Sequence, residues 1–375
     1  MKILPKLMIT TFIITCFLSI TGFMVMQQGP FGKTPKGKRL ERIQKSPNYK
    51  DGAFRNLSET PVQAEEATFF GMLYDFFNKS KNNRPAASIP TVKSDLKTFS
   101  TQKPSIFWFG HSSYLLKTNG RNILVDPVFS GHASPFSFMV TAFEGANNYA
   151  ASDLPEIDML IISHDHYDHL DYETITAIKD KVKHFYVPLG VGAHLENWGI
   201  AENKITELDW WEATTFENLK LTATPARHFS GRGLARGKSL WASYVLETPS
   251  HKIYIGGDSG YDAHFKAIGE KFGPLDIAIL ETGQYNKNWP YIHMMPEQTV
   301  QAAQDLQAKV LLPVHLGKFA LALHDWDEPL QRVVKAAAEK QVKITTPMIG
   351  EPVILDETYP ASRWWEKVKT VAKAE

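Results

Sequence analysis

Residues 163–171 read Ser163-His164-Asp165-His166-Tyr167-Asp168-His169-Leu170-Asp171 and follow directly on the apolar run 159–162. A short apolar run of this kind forms a buried β-strand, so the polar stretch leaves a strand end as a loop. Its side chains at 164, 166, 168 and 169 can then turn toward one point outside the sheet, where two adjacent cations can share them. Neutral imidazole and carboxylate suit zinc, with iron or manganese compatible by donor type. A solvated turn with incidental histidines explains this density of donors poorly. Four donors on one loop cannot close two metal sites, so the rest of the chain must supply partners.

Candidates for those partners stand just after other β-rich apolar runs: His228 after 219–224, Asp258 after 252–255 and His315 after 310–314. Singly, each has an ordinary explanation. A histidine after a strand is commonly a satisfied or surface residue, and Asp258 within Gly256-Gly257-Asp258-Ser259-Gly260 suits a plain turn.

The order of these blocks resembles the metallo-β-lactamase superfamily, whose H-x-H-x-D-H signature stands here as His164, His166, Asp168 and His169. Within it the chain is most similar to the N-acylphosphatidylethanolamine-hydrolysing phospholipase D family and its bacterial relatives. The similarity covers about residues 47–332. It also rests on Ser46-Pro47-Asn48-Tyr49, Gly110-His111-Ser112-Ser113, the block 123–130 containing Asp126, Ala133-Ser134-Pro135, Pro225-Ala226-Arg227-His228, Leu240-Trp241-Ala242-Ser243, the glycine run continuing to Tyr261, and the block 314–320.

The resemblance implies that His164, His166 and His228 hold one metal, that Asp168, His169 and His315 hold the second, and that Asp258 bridges them. The implied cofactor is two Zn2+ per chain, with Fe or Mn as alternatives. Two such cations lower the pKa of a shared water to give a hydroxide nucleophile, polarise the substrate oxygen and stabilise the leaving group. Asp168 and Asp258 are then catalytic through the metals. His293 aligns with a family histidine near the substrate phosphate and suits proton donation to the leaving group. Its Ile-His-Met-Met context departs from the family's Gln-His-Val-Asp, and the alternative is a capping or surface histidine just ahead of the helix that starts at Pro296. Asp165 and Asp171 are candidates to orient the histidines. His111 is a candidate site neighbour. Arg227 and Arg232, close to His228 together with Arg236 and Lys238, are candidate substrate-phosphate contacts.

Residues 7–26 carry no charge, long enough to cross a bilayer as a helix. The expectation is an uncleaved single-pass anchor over residues 1–27, placing the protein at the cell membrane with the side of the catalytic domain open. A cleavable signal peptide is the rival. A linker and N-terminal extension (28–100), a hydrolase domain (101–356) and a C-terminal tail (357–375) follow. The only cysteine, Cys16, lies in the apolar run, so no intrachain disulfide forms. A net charge of +1 gives no footprint for nucleic acid, and self-association into a homo-oligomer is compatible with the sequence.

Strands are expected at 106–109, 114–118, 122–125, 159–163, 185–188, 219–224, 241–248, 252–255, 277–280 and 310–314, with helices at 172–181, 192–198, 262–272, 296–307 and 328–341. Two strand-rich halves, each closing with helices, suit two packed sheets with helices outside. The resemblance makes this an α/β fold, the αββα sandwich of two mixed sheets. Phe69, Phe70, Leu73, Phe76 and Phe77 are spaced for one helix face, which either packs on the core or lies in a membrane interface to admit lipid. The function expected is a membrane-anchored dinuclear zinc phosphodiesterase acting on N-acylphosphatidylethanolamine-like phospholipids. The alternatives are a hydrolase of a lactone or soluble phosphodiester, or a noncatalytic, metal-stabilised lipid-binding protein.

Overall fold

The computed structural model describes residues 3–233 and 235–368. Residues 1–2 of the expected anchor and 369–375 of the expected tail lie outside the described residues. The chain opens with α1 (Ile3–Met26) and α2 (Gly37–Gln44), a hairpin of β1 (Tyr49–Lys50) and β2 (Ala53–Phe54), and α3 (Phe69–Phe77). The first half follows as β3 (Ser105–Trp108), β4 (Tyr114–Thr118), β5 (Arg121–Val125), β6 (Ile157–Ile161), α4 (Tyr172–Ile178), β7 (Val182–Pro188), α5 (Gly192–Asn197) and β8 (Ile205–Leu208). The second half holds β9 (Ala213–Phe216), β10 (Leu219–Thr224), β11 (Ser243–Glu247), β12 (Lys252–Ile255), α6 (His264–Phe272), β13 (Ile277–Glu281), α7 (Pro296–Asp305), β14 (Leu311–Val314) and α8 (Glu328–Glu339). The last strand, β15 (Pro352–Ile354), returns to the edge of the first sheet.

The two sheets run β15-β3-β4-β5-β6-β7-β8 and β14-β13-β12-β11-β10-β9. Both are mixed: β5 to β8 pair in parallel, as do β12 to β14, and the remaining neighbours are antiparallel. Period-two alternation sets the layers. Along β13, Ile277 and Ile279 enter the core shared by the two sheets, while Ala278 and Leu280 pack outward with Phe265 and Ile268 of α6, Val300 of α7 and Val333 of α8. The same alternation sends Ile253 and Ile255 of β12 inward and Tyr254 outward. This is the α/β sandwich of mixed sheets and outer helices that the strand pattern predicted. Expected strands and helices recur with ends shifted by a few residues, as terminal turns fray or tighten. The short strands β8, β9 and β15 went unseen, because each is a brief edge or near-edge run without a clear apolar alternation.

The transmembrane helix is a correction. Residues 7–26 are helical within α1, but no helix among the described residues is long and apolar enough to cross a membrane. Five hydroxyls, at Thr10, Thr11, Thr15, Ser19 and Thr21, interrupt the apolar run, whereas a bilayer span demands roughly 20 predominantly apolar residues. The single-pass anchor, and the cell-membrane localisation resting on it, are withdrawn. The chain leaving α1 is instead fastened to the sandwich. Trp198 Nε1 donates to Gly29 O at 2.8 Å, Arg232 Nε to Pro30 O at 2.8 Å, and Lys33 N to His194 Nδ1 at 3.0 Å. Arg39 of α2 pairs with Glu196 and Glu207, both at 2.6 Å.

At the other end, Trp364 and Trp365 are each 1% exposed and belong to the main core. Truncating a buried tryptophan to alanine costs about 3–5 kcal/mol through lost burial and the cavity left. Trp365→Ala is therefore expected to lower the urea midpoint by that equivalent without changing the slope. A loss below about 1 kcal/mol would show that this segment is not part of the cooperative core.

Candidate metal centre

Strand direction places the donors. The loop after β6 carries His164, His166, Asp168 and His169, β10 leads to His228, β12 to Asp258 and β14 to His315. β10 and β12 are both antiparallel to β11, and β12 to β14 are parallel, so the donors of the second sheet leave from one rim. Glycine lets the rim close. A Cβ on Gly257 would sit 2.6 Å from Ala242 O and 2.9 Å from Ser163 Cβ, and one on Gly260 would sit 1.9 Å from Tyr291 O. The glycines around Asp258 thus set it against the residue that precedes His164.

All seven sequence-identified donors meet there. His164 Nε2 lies 2.9 Å from His166 Nδ1, and His228 Nε2 lies 3.2 Å from that same atom. Asp168, His169 and His315 form a second group together with His111. Asp258 stands between: its Oδ1 is 3.2 Å from both His169 Nε2 and His315 Nδ1, and its Oδ2 is 3.9 Å from His164 Nε2 and 3.8 Å from His228 Nε2. One carboxylate oxygen faces each group. His293 adjoins the cluster, its ring 5.1 Å from that of His228 and 5.3 Å from that of His315.

The surrounding bonds hold these rings in place. Asp126, in the left-handed region at φ 40°, accepts from Ser163 N and Oγ at 2.8 and 2.6 Å and faces His169 Nδ1 at 2.8 Å. It therefore ties the end of β5 to the donor loop and turns His169 Nε2 inward. His228 Nδ1 is 2.9 Å from Ile292 O, which makes it the protonated nitrogen and leaves Nε2 as a lone-pair donor. His111 Nε2 reaches Asp168 Oδ2 at 2.9 Å.

Asp165 and Asp171 act differently from the expectation. Asp165 accepts from Gly231 N at 2.7 Å and Ser239 Oγ at 2.6 Å and faces His194 at 3.2 Å, while Asp171 caps α4 and accepts from Ser130 N at 3.0 Å. Both brace loops and touch no donor ring. Asp126 was legible only as part of the 123–130 block; nothing local in the sequence marked its role.

Electrostatics fit a cation. Burial pushes His164, His228 and His315 well below the ordinary imidazole range, which keeps the rings neutral and able to donate a lone pair. Burial works against ionisation of Asp168 and Asp258, but the facing imidazoles, His169 foremost, outweigh it and hold both carboxyls well below their usual range. His169 is raised well above its ordinary value. Burial opposes this too, and Asp258, Asp168 and Asp126 outweigh it. These carboxylates demand positive charge at that spot, which a divalent metal supplies. Among the described residues, His169 Nε2 and Asp258 Oδ1, both buried and 3.2 Å apart, complete no hydrogen bond, as suits atoms that face a metal.

Residues 121–316 match the β-lactamase superfamily domain. The chain belongs to the β-lactamase superfamily. It is a metal-dependent hydrolase of that superfamily. An uncharacterized protein of Mycobacterium tuberculosis is 40% identical over 331 residues, 86% of this chain and 88% of the relative. N-acyl-phosphatidylethanolamine-hydrolyzing phospholipase D 1 of Caenorhabditis elegans is 32% identical over 238 residues, 58% of this chain and 65% of the relative. Among solved structures, Igni18, a metallo hydrolase from the archaeon Ignicoccus hospitalis, shares the fold with a TM-score of 0.53 at 20% identity, covering 68% of this chain and all of that one.

The arginines singled out in the sequence are engaged by the chain itself. Arg227 donates to Thr60 Oγ1 at 3.0 Å, Glu59 O at 2.7 Å and Tyr261 O at 3.3 Å. Arg232, buried, donates to Pro30 O, Asp165 O and Leu170 O at 2.6–2.8 Å. A cavity of about 530 Å3 opens on His228 and is lined in part by Leu57, Val62, Phe229, Trp241 and the exposed Arg55 and Arg236.

Because Asp126 orients His169, Asp126→Ala is expected to weaken metal affinity about 10–100-fold. Chelator competition checks this. An unchanged affinity would show that the ring is held by packing alone.

Proposed function

We propose that this hydrolase is a dinuclear zinc phosphodiesterase that cleaves N-acylphosphatidylethanolamine-like phospholipids at the distal phosphoester, as a phospholipase D does. The observation that carries the reading is Asp258, whose two oxygens face two separate donor groups in the arrangement of a bridging ligand. His164, His166 and His228 would hold one cation and Asp168, His169 and His315 the other. When bound, such a pair activates a shared water at neutral pH and polarises a phosphoryl oxygen.

The chain's own side chains do the rest. Asp126 and Ile292 O keep His169 and His228 aimed inward, so that little reorganisation accompanies the reaction. His293 stands beside both groups and delivers a proton to the departing oxygen. The cavity at His228 offers apolar walls for an acyl chain, with Arg55 and Arg236 at hand for phosphate.

The likeness to the Caenorhabditis elegans phospholipase D supports the lipid substrate, and so does α3. Thr68 caps this helix, accepting from Gly71 N at 3.0 Å, and none of its residues is buried. Phe69, Phe70, Tyr74 and Phe77 are each more than two-thirds exposed. Packing on the core therefore does not explain its aromatic face, and contact with lipid does.

The purified protein is expected to carry close to two zinc equivalents and to release phosphatidic acid from an N-acylphosphatidylethanolamine; full metal with no turnover across a lipid panel would reject the lipid assignment. Asp258→Asn is expected to abolish turnover and lower the metal content, because it withdraws an anion from both donor groups. Wild-type rates in that variant would refute the dinuclear reading.

A further inference from the structure

Glu281 closes β13 and is 1% exposed. Its backbone carbonyl accepts from Thr299 Oγ1 of α7 at 2.9 Å, and its Oε1 accepts from Met294 N at 2.8 Å. The same Oε1 lies 3.5 Å from His293 Nδ1, at the outer limit of a hydrogen bond. Among the described residues, His293 Nδ1 and Glu281 Oε2 complete no hydrogen bond, and both atoms are buried. A carboxylate on a strand end thus faces one nitrogen of the imidazole that adjoins the donor cluster. The two ring nitrogens of histidine point apart, so a hydrogen bond at one fixes what the other presents.

We infer that Glu281 is a positioning residue for His293: it holds Nδ1 protonated and fixes the ring so that Nε2 carries the proton delivered to the leaving oxygen. The inference deepens the phosphodiesterase reading and rests on it. In the step, the water oxygen bonds to phosphorus and the bond from phosphorus to the alcohol oxygen breaks. That oxygen takes the Nε2 proton and departs as the alcohol. The proton lost by the water returns to Nε2, so the ring turns over unchanged and the products are a phosphomonoester and an alcohol. Glu281 touches none of the reacting atoms; burial pushes its carboxyl up to about 7, and the facing His293 works against that rise.

The test compares leaving groups. An alkoxide needs a proton to depart, whereas p-nitrophenolate leaves without one. In the metal-loaded full chain, Glu281→Gln is expected to lower kcat about 10–100-fold for a dialkyl phosphodiester and by no more than about threefold for bis-p-nitrophenyl phosphate, with metal content unchanged. It should add no further loss in a His293→Ala background, since the two residues act as one unit. Equal losses with both leaving groups, or a fall in metal content that would make Glu281 a ligand, overturn the inference while wild-type turnover keeps the phosphodiesterase reading intact. If the wild-type protein turns over neither diester, that reading fails and the inference fails with it. Should Glu281→Gln not fold, Glu281→Asp, which keeps the charge but withdraws it by one methylene, serves the same comparison.

Discussion

Four buried imidazoles, the half-buried His166 and two buried carboxylates gather at one rim of an apolar sandwich, and this can persist only if their charges and lone pairs are matched. An isolated buried ion is prohibitively expensive, and each group here is tolerable only because its neighbours are present. Asp258 is the pivot, since it faces both halves of the cluster. The architecture serves that balance: strand ends fix the backbone positions, glycines let Asp258 close against the donor loop, and Asp126 reaches across from the first sheet to hold His169. Packing alone would not ask for any of these three.

The donor set was legible in sequence because a metal imposes residue type and position together. His164 through His169 crowd one loop, and strand ends leave few places for the others. The layers were legible from two strand-rich halves that each close with helices, while the two faces of β12 and β13, apolar on both sides, were told apart only by the structure. What stayed hidden depended on contacts between distant segments. Arg227 and Arg232 carry the charge that a phosphate needs, but composition could not reveal that Glu59, Tyr261, Pro30 and Leu170 would supply their acceptors. Asp126 was invisible as a functional group because it faces a histidine 43 residues along the chain, reached only after the first sheet assembles.

The N-terminal apolar run shows the opposite failure. Its lack of charge argued for a span, yet the described helix does not satisfy that demand. α3 differs again: its aromatic spacing was equally consistent with burial, and only the surrounding structure leaves those rings uncovered. Periodicity identifies a face, but what the face meets is decided by the rest of the fold.

The segment that leaves α1 gives the opening of the chain a mechanical role. Its carbonyls at Gly29 and Pro30 engage Trp198 and Arg232, and Lys33 engages His194. Arg232 in turn grips the carbonyls of Asp165 and Leu170, and His194 faces Asp165, inside the loop that carries four donors. One arginine and one histidine thus join the segment after α1 to the backbone beside the metal centre, so that the two are fastened to each other as well as to the sandwich.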